Sequence, residues 1–214
     1  MPDPAAIEAL RHSPVADLVR RCRLIAILRK VEPRERLLDL VASLAEDGVR
    51  LFEVTFDSPA AADGLVAVRD RLRDAGITDP LVGAGTITTL DRLEAAAQAG
   101  AAFIVAPTVD VEIVERAIEL GLPVIPGAYS PTEIALAWRT GATFVKVFPA
   151  SSVGPSHVRE LRGPLPEIEL IATGGVDAAN ARSFLAAGCV AIAAGGALVN
   201  GTPDERRAIV DAAT

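Results

Sequence analysis

The chain of 214 residues is half apolar and carries a formal net charge of −7, which suits a single domain over residues 1–214 with a sizeable core and excludes a disordered chain. The acidic balance leaves no broad basic surface for nucleic acid or an anionic membrane, although a local anion site remains open. No apolar run approaches the roughly 20 residues of a membrane-spanning helix, and the opening MPDPAAIEALRHSP lacks a basic and then apolar signal region, so a cytoplasmic protein is expected.

Ahead of Leu24 lies an extra segment, expected to be helical and to cover one end of the fold. The first apolar run, LIAILR from Leu24, is followed by RERLLDLVASLAEDG, whose apolar residues recur three and four apart. LFEVTF from Leu51 and LVGAGT from Leu81 come next, then the helical stretch LDRLEAAAQAG. AFIVAP from Ala102 precedes the helical VEIVERAIELG, and PVIPG from Pro123 and TFVKVF from Thr143 follow. IELIAT from Ile168, the helical AANARSFLAAG and CVAIAA from Cys189 complete the series. Eight runs result, their starts roughly 20 to 30 residues apart, the length of a strand, a helix and two loops. Strands separated by helices pair in parallel through right-handed crossovers. Eight such units in a compact chain predict an α/β protein, a (β/α)8 TIM barrel with an extra N-terminal helix. Periodicity does not show closure, so an open doubly wound sheet is the alternative.

In such barrels the chemistry sits at the C-terminal ends of the strands. There the chain places Arg29 in the first run, Glu53, Thr55 and Asp57 in the second, Thr86 in the third and Lys146 in the sixth. Alternate strands supply the same inward layer, so Lys146 and Glu53 are expected to meet inside. An outward Lys146 snorkelling to water, or a Glu53 that caps a helix or pairs with a surface arginine, is the competing reading. A lysine flanked by Phe144, Val145, Val147 and Phe148 is poorly solvated, which lowers its pKa and makes it a nucleophile toward ketones. A neighbouring carboxylate can move the protons, directly or through a water. The pairing suggests a metal-independent aldolase without a cofactor. Two histidines, His12 and His157, are too few for most zinc sites or Ser-His-Asp schemes. Cys22 and Cys189, far apart and without ligand spacing, read as free thiols.

A phosphate site is the second constellation. The runs ATGGVDAAN from Ala172 and AAGGALV from Ala193 each join a strand to a helix, and paired glycines there let backbone N–H groups approach an anion. Turn geometry alone accounts equally for the other rim glycines. Trp138 and Tyr129 read as packing residues, His157 as an exposed loop residue, and VEPRERLLD as a solvated helix start.

In order along nearly the whole chain, AILR, EVTF, VGAGT, VAPTVD, PVIPG, FVKVFPAS, ATGGV and the paired glycines of the last run resemble one family. These are the class I aldolases of 2-keto-3-deoxy-6-phosphogluconate, 2-keto-3-deoxy-6-phosphogalactonate and 4-hydroxy-2-oxoglutarate. The resemblance implies a TIM barrel assembled as a homotrimer, acting on a small 2-keto acid and an aldehyde. It implies Lys146 as the Schiff-base residue and Glu53 as the acid/base working through a water. By the same resemblance Thr86 helps hold the carboxylate of the pyruvate portion, Arg29, Pro107, Phe148 and Thr173 line the substrate site, and Gly174 and Gly175 bind phosphate through their backbone with Gly195 and Gly196 beside them. In the phosphogalactonate-like branch Arg29 could carry the carboxylate alone. Two positions depart from the family. EVTFDSP places Asp57 where phosphogluconate-type members carry an arginine and phosphogalactonate-type members a neutral residue. Gly196 stands where a serine hydroxyl often supports the phosphate, so a non-phosphorylated or shorter substrate is the alternative. A barrel phosphosugar isomerase or synthase and a non-catalytic sugar-phosphate binding protein are the rival readings.

Overall fold

A computed structural model describes residues 2–77 and 80–213. Parallel strands make one sheet: β1 (Leu24–Leu28), β2 (Leu51–Thr55), β3 (Leu81–Gly85), β4 (Ile104–Val105), β5 (Val124–Ile125), β6 (Gly127–Ala128), β7 (Val145–Val147), β8 (Leu170–Thr173) and β9 (Ala191–Ala194). Their order is β5-β4-β3-β2-β1-β9-β8-β7-β6. The fifth predicted run is thus two short strands rather than one, and the break falls at Pro126. Proline has no N–H for a ladder, and the pairing changes sides across it. β5 pairs with β4, β6 pairs with β7, and Lys146 donates its backbone N–H to the Pro126 carbonyl at 2.9 Å. One interrupted crossing therefore closes the cylinder, and the open-sheet alternative falls away.

Helices α3 (Arg34–Glu46), α4 (Ala61–Asp74), α5 (Leu90–Gln98), α6 (Val111–Glu119), α7 (Pro131–Thr140), α8 (Gly154–Leu161), α9 (Ala181–Ala186), α10 (Gly196–Asn200) and α11 (Pro203–Ala213) follow the strands around the barrel. The N-terminal segment holds two helices, α1 (Pro4–Arg11) and α2 (Pro14–Cys22), split where the Ser13 hydroxyl caps α2 and Pro14 opens it.

Strand alternation sorts the apolar side chains into two cores. Phe52, Val54, Val82, Ile104, Val145 and Val147 face outward into the layer shared with the helices. Ile25, Ile27, Leu51, Phe103, Phe144 and Ile171 fill the interior, joined by Ala16, Leu18 and Val19 of α2. So α2 plugs the N-terminal end of the barrel, as the extra segment was expected to do. Arg20 on that helix fixes it there by two bonds to Glu169, at 2.9 and 2.6 Å. Phe144 lies under Lys146 in the same inward row, 1% exposed. Phe144→Ala is expected to cost about 3–5 kcal/mol of unfolding free energy through the cavity it leaves. Urea unfolding reads the loss, and a variant within 1 kcal/mol of wild type, roughly the effect of an ordinary surface change, would contradict this account of the inner core.

Candidate active site

The alternation that builds the inner core also aims the functional side chains. Val145 and Val147 turn outward, so Lys146 between them turns in. Phe52 and Val54 do the same for Glu53 on β2. Both are buried, Lys146 at 5% and Glu53 at 2% exposure, which rules out a snorkelling lysine and a surface-paired glutamate. Burial pushes the Glu53 pKa up, and the charges of Lys146 and Arg29 pull it partly back. Burial pushes the Lys146 pKa down, Glu53 opposes this, and Arg29 adds to it. The two groups sense one another, yet no direct ion pair joins them among the described residues. The Lys146 Nζ stands 4.6 Å from the centre of the Phe148 ring, which forms one wall.

Gly85 explains the position of the Glu53 carboxylate. A Cβ on Gly85 would overlap the Glu53 Cγ, Cδ and Oε1, so the side chain lies across bare backbone of β3. Sequence alone does not reveal this fit, because the overlap depends on the register that sets Gly85 against Thr55. Immediately after it Thr86 sits at φ 58°, a left-handed conformation that a β-branched residue adopts only under constraint. Its hydroxyl accepts a 3.0 Å hydrogen bond from Arg29 Nη2. Arg29 and Thr86, separate in sequence, form one polar edge at the barrel mouth.

Around that mouth, Pro107 follows β4 and its carbonyl packs so closely on Gly127 that a Cβ there would collide with it. Thr173 ends β8 facing inward, 3% exposed, with its hydroxyl lacking a hydrogen-bond partner among the described residues. A buried hydroxyl without a partner costs about 1–3 kcal/mol, and so is a group that a ligand can satisfy. Gly174 and Gly175 follow at φ 92° and 71°, and a side chain on Gly175 would strike Ser151. Backbone conformation and space thus both require these glycines, which weakens them as evidence for an anion. The segment after them turns through Asp177–Asn180 before α9 begins at Ala181, so this pair does not itself start a helix, whereas Gly195 directly caps α10. Gly196 is unlike the rest: nothing lies within 4 Å of an added Cβ.

Several residues outside the centre resolve differently. Tyr129 is 45% exposed rather than packed, and its carbonyl contacts the His157 ring at 3.2 Å. Trp138 is a packing residue, with the Arg11 guanidinium 3.4 Å from its ring centre. Cys189 is buried and its thiol is pushed up to about 12 by burial, which makes it unreactive. Two interactions escaped the sequence reading altogether, the ion pairs of Asp57 with Arg29 at 3.6 Å and with Lys30 at 3.8 Å.

Two buried ionisable groups without a direct bond impose a cost on the fold. Replacing both by apolar groups of similar volume, Glu53→Leu with Lys146→Met, is expected to raise the unfolding free energy by about 1–4 kcal/mol. Lys146→Met alone leaves the buried carboxylate without its counter-charge and should be less stable than the double variant. Chemical unfolding of the three proteins tests this, and a double variant weaker than wild type would refute it.

Known proteins share this arrangement of chain. The family described as KDPG and KHG aldolase matches residues 15–209. The chain is 35% identical over 167 residues to the 2-dehydro-3-deoxy-6-phosphogalactonate aldolase of Escherichia coli K12, covering 78% of this chain and 79% of that one. It is 32% identical over 173 residues to the 2-dehydro-3-deoxy-phosphogluconate aldolase of Haemophilus influenzae, covering 80% and 79%. A solved structure described as native KDPGal superimposes with a TM-score of 0.79 at 33% identity, over 88% of this chain and 93% of that one. On the extent of these matches the chain belongs to the KDPG and KHG aldolase family.

Proposed function

We propose that the protein is a class I aldolase that cleaves a 6-phosphorylated 2-keto-3-deoxy sugar acid to pyruvate and an aldehyde such as glyceraldehyde 3-phosphate. The observation that carries this reading is the buried, apolar-walled Lys146 facing the interior together with Glu53. Its lowered pKa keeps a larger share of free amine at a given pH than an ordinary lysine has. Lys146 Nζ attacks the C2 ketone, the carbinolamine loses water, and a protonated imine forms. Glu53, through a water, takes the proton of the C4 hydroxyl. The C3–C4 pair then flows into the imine and the aldehyde departs. The remaining enamine takes a proton at C3, and water releases pyruvate from Lys146.

The surrounding groups suit the same substrate. Arg29 and Thr86 receive the carboxylate, Arg29 as a planar charged donor. Pro107 and Phe148 wall the pocket, and the unpartnered Thr173 hydroxyl is available to a substrate hydroxyl. Gly174, Gly175, Gly195 and Gly196 offer backbone to the phosphate. The chemistry calls on no metal or organic cofactor. Leu90 on α5, Val111 on α6, Tyr129 just before α7 and Leu136 on α7 are large exposed apolar groups that suit self-association, and the family resemblance supplies the homotrimer as its form. Among the described residues no helix is long and apolar enough to cross a membrane, and we assign the enzyme to the cytoplasm.

A second reading, a non-phosphorylated acid such as 4-hydroxy-2-oxoglutarate, rests on Gly196. Its position has room for a side chain yet offers none, and the adjoining cavity also holds Asp177 and Glu205. A substrate panel with and without the 6-phosphate decides between the two by released pyruvate. Gly196→Ser is expected to lower KM for the phosphorylated acid about tenfold, the worth of one charge-assisted hydrogen bond, and to leave the unphosphorylated one unchanged.

The imine itself is tested by incubating the protein with pyruvate and borohydride. A reduced adduct on the Lys146 peptide is the expected outcome, and active protein unlabelled there overturns the reading. The Lys146 amine becomes free as pH rises through its lowered pKa, and the Glu53 carboxylate helps the ammonium keep its proton. Glu53→Gln should therefore move the half-point of pyruvate imine formation to lower pH while abolishing cleavage.

A further inference from the structure

We propose that Asp57 is a positioning residue for the substrate carboxylate, acting by holding Arg29 against Thr86. The inference rests on the reading of Arg29 as the carboxylate receptor. Asp57 lies two residues past Thr55, just beyond β2, and its side chain is 17% exposed, against 54% for Arg29 and 65% for Lys30. The carboxylate is the fixed partner of the three. Its Oδ1 accepts a 2.8 Å hydrogen bond from the buried Thr55 hydroxyl, which ties it to the strand that carries Glu53. Its Oδ2 faces Arg29 Nη1 at 3.6 Å and Lys30 Nζ at 3.8 Å.

Arg29 is consequently held from two sides. Asp57 draws Nη1, and the Thr86 hydroxyl accepts from Nη2 at 3.0 Å. A guanidinium carries five N–H donors in a rigid plane, so this double hold orients it and leaves other donors for a ligand. A long, half-exposed side chain left free would have to lose its rotamer freedom each time a substrate bound. Asp57 removes that loss in advance, which is preorganisation. Lys30 completes the balance: one carboxylate between two cations leaves the cluster with a net positive charge, suited to an anionic substrate group. Far from presenting an uncompensated negative charge at the mouth, Asp57 is neutralised by its neighbours.

Kinetics in the direction of synthesis, with pyruvate and the aldehyde varied separately, tests the assignment. Asp57→Asn keeps the shape and the acceptor for Thr55 while removing the charge that holds Arg29. The KM for pyruvate is expected to rise about five-fold, the size an ion pair at a half-exposed site supports, with kcat and the aldehyde KM within two-fold of wild type, as expected when only uniform binding is lost. Arg29→Lys and the double variant Arg29→Lys/Asp57→Asn should share nearly the same pyruvate KM, since Asp57 then has no fixed guanidinium to hold. A merely structural Asp57 would instead lower the melting temperature and disturb both substrates alike. An unchanged pyruvate KM, or a lower one because Asp57 competes with substrate for Arg29, overturns the inference while wild-type turnover leaves the aldolase reading standing. A wild-type protein that forms no pyruvate adduct at Lys146 removes both.

Discussion

Everything in this barrel is arranged around one unfavourable act, the removal of an amine and a carboxylate from water inside a cylinder of apolar side chains. Each ion so buried costs several kcal/mol, and attraction between them recovers only part of it. The fold sustains that cost through two separate cores, one inside the strands and one between strands and helices. Helix α2 makes the interior core possible, because the barrel without its plug would admit water from below to the row of Phe144 and Ile171.

The same cylinder has to be full at one level and hollow at the next. Native interiors tolerate few voids, so a large side chain must be matched by a small one across from it. Phe103 occupies the space over Gly83, and Glu53 occupies the space over Gly85. In both cases the absent Cβ on β3 is what the neighbouring side chain rests upon. Phe103 closes the lower layer, whereas Glu53 fills its space with an ionisable group and turns packing into a site. Gly127 serves a related end, letting the Pro107 carbonyl come against the strand that pairs with Lys146.

How far the sequence reveals this depends on the distance over which each cause acts. Local causes are legible: the apolar runs, the helical spacing between them, and a lysine whose two valine neighbours demand the outer face. Pro126 also carried a local signal, since a proline inside a strand interrupts its ladder, although PVIPG reads as continuous by apolarity alone. So did Ser13 followed by Pro14, a cap and a first helical position that divide the N-terminal segment. Causes that cross the barrel are not legible in the same way. The fit of Glu53 on Gly85 requires the pairing of β2 with β3, and the hold of Asp57 on Arg29 joins residues 28 positions apart. Strand position alone predicts that Glu53 meets Lys146 inside the barrel, but neither the rest on Gly85 nor the Asp57 pairing has a local signal.

Arg29 connects the mouth of the barrel to its interior in a way neither buried residue achieves alone. Burial favours the uncharged form of both Glu53 and Lys146, and their mutual attraction favours the charged form of both. Neither force selects the state that imine chemistry needs, a carboxylate beside a free amine. The positive field of Arg29, a smaller influence than burial or the mutual attraction, pushes toward it by lowering the pKa of each: it favours the anion on Glu53 and disfavours the cation on Lys146. Being half-exposed, its charge is partly screened by water and salt, so its influence depends on where the guanidinium is held. A residue at the barrel mouth thereby also biases the proton distribution beneath it.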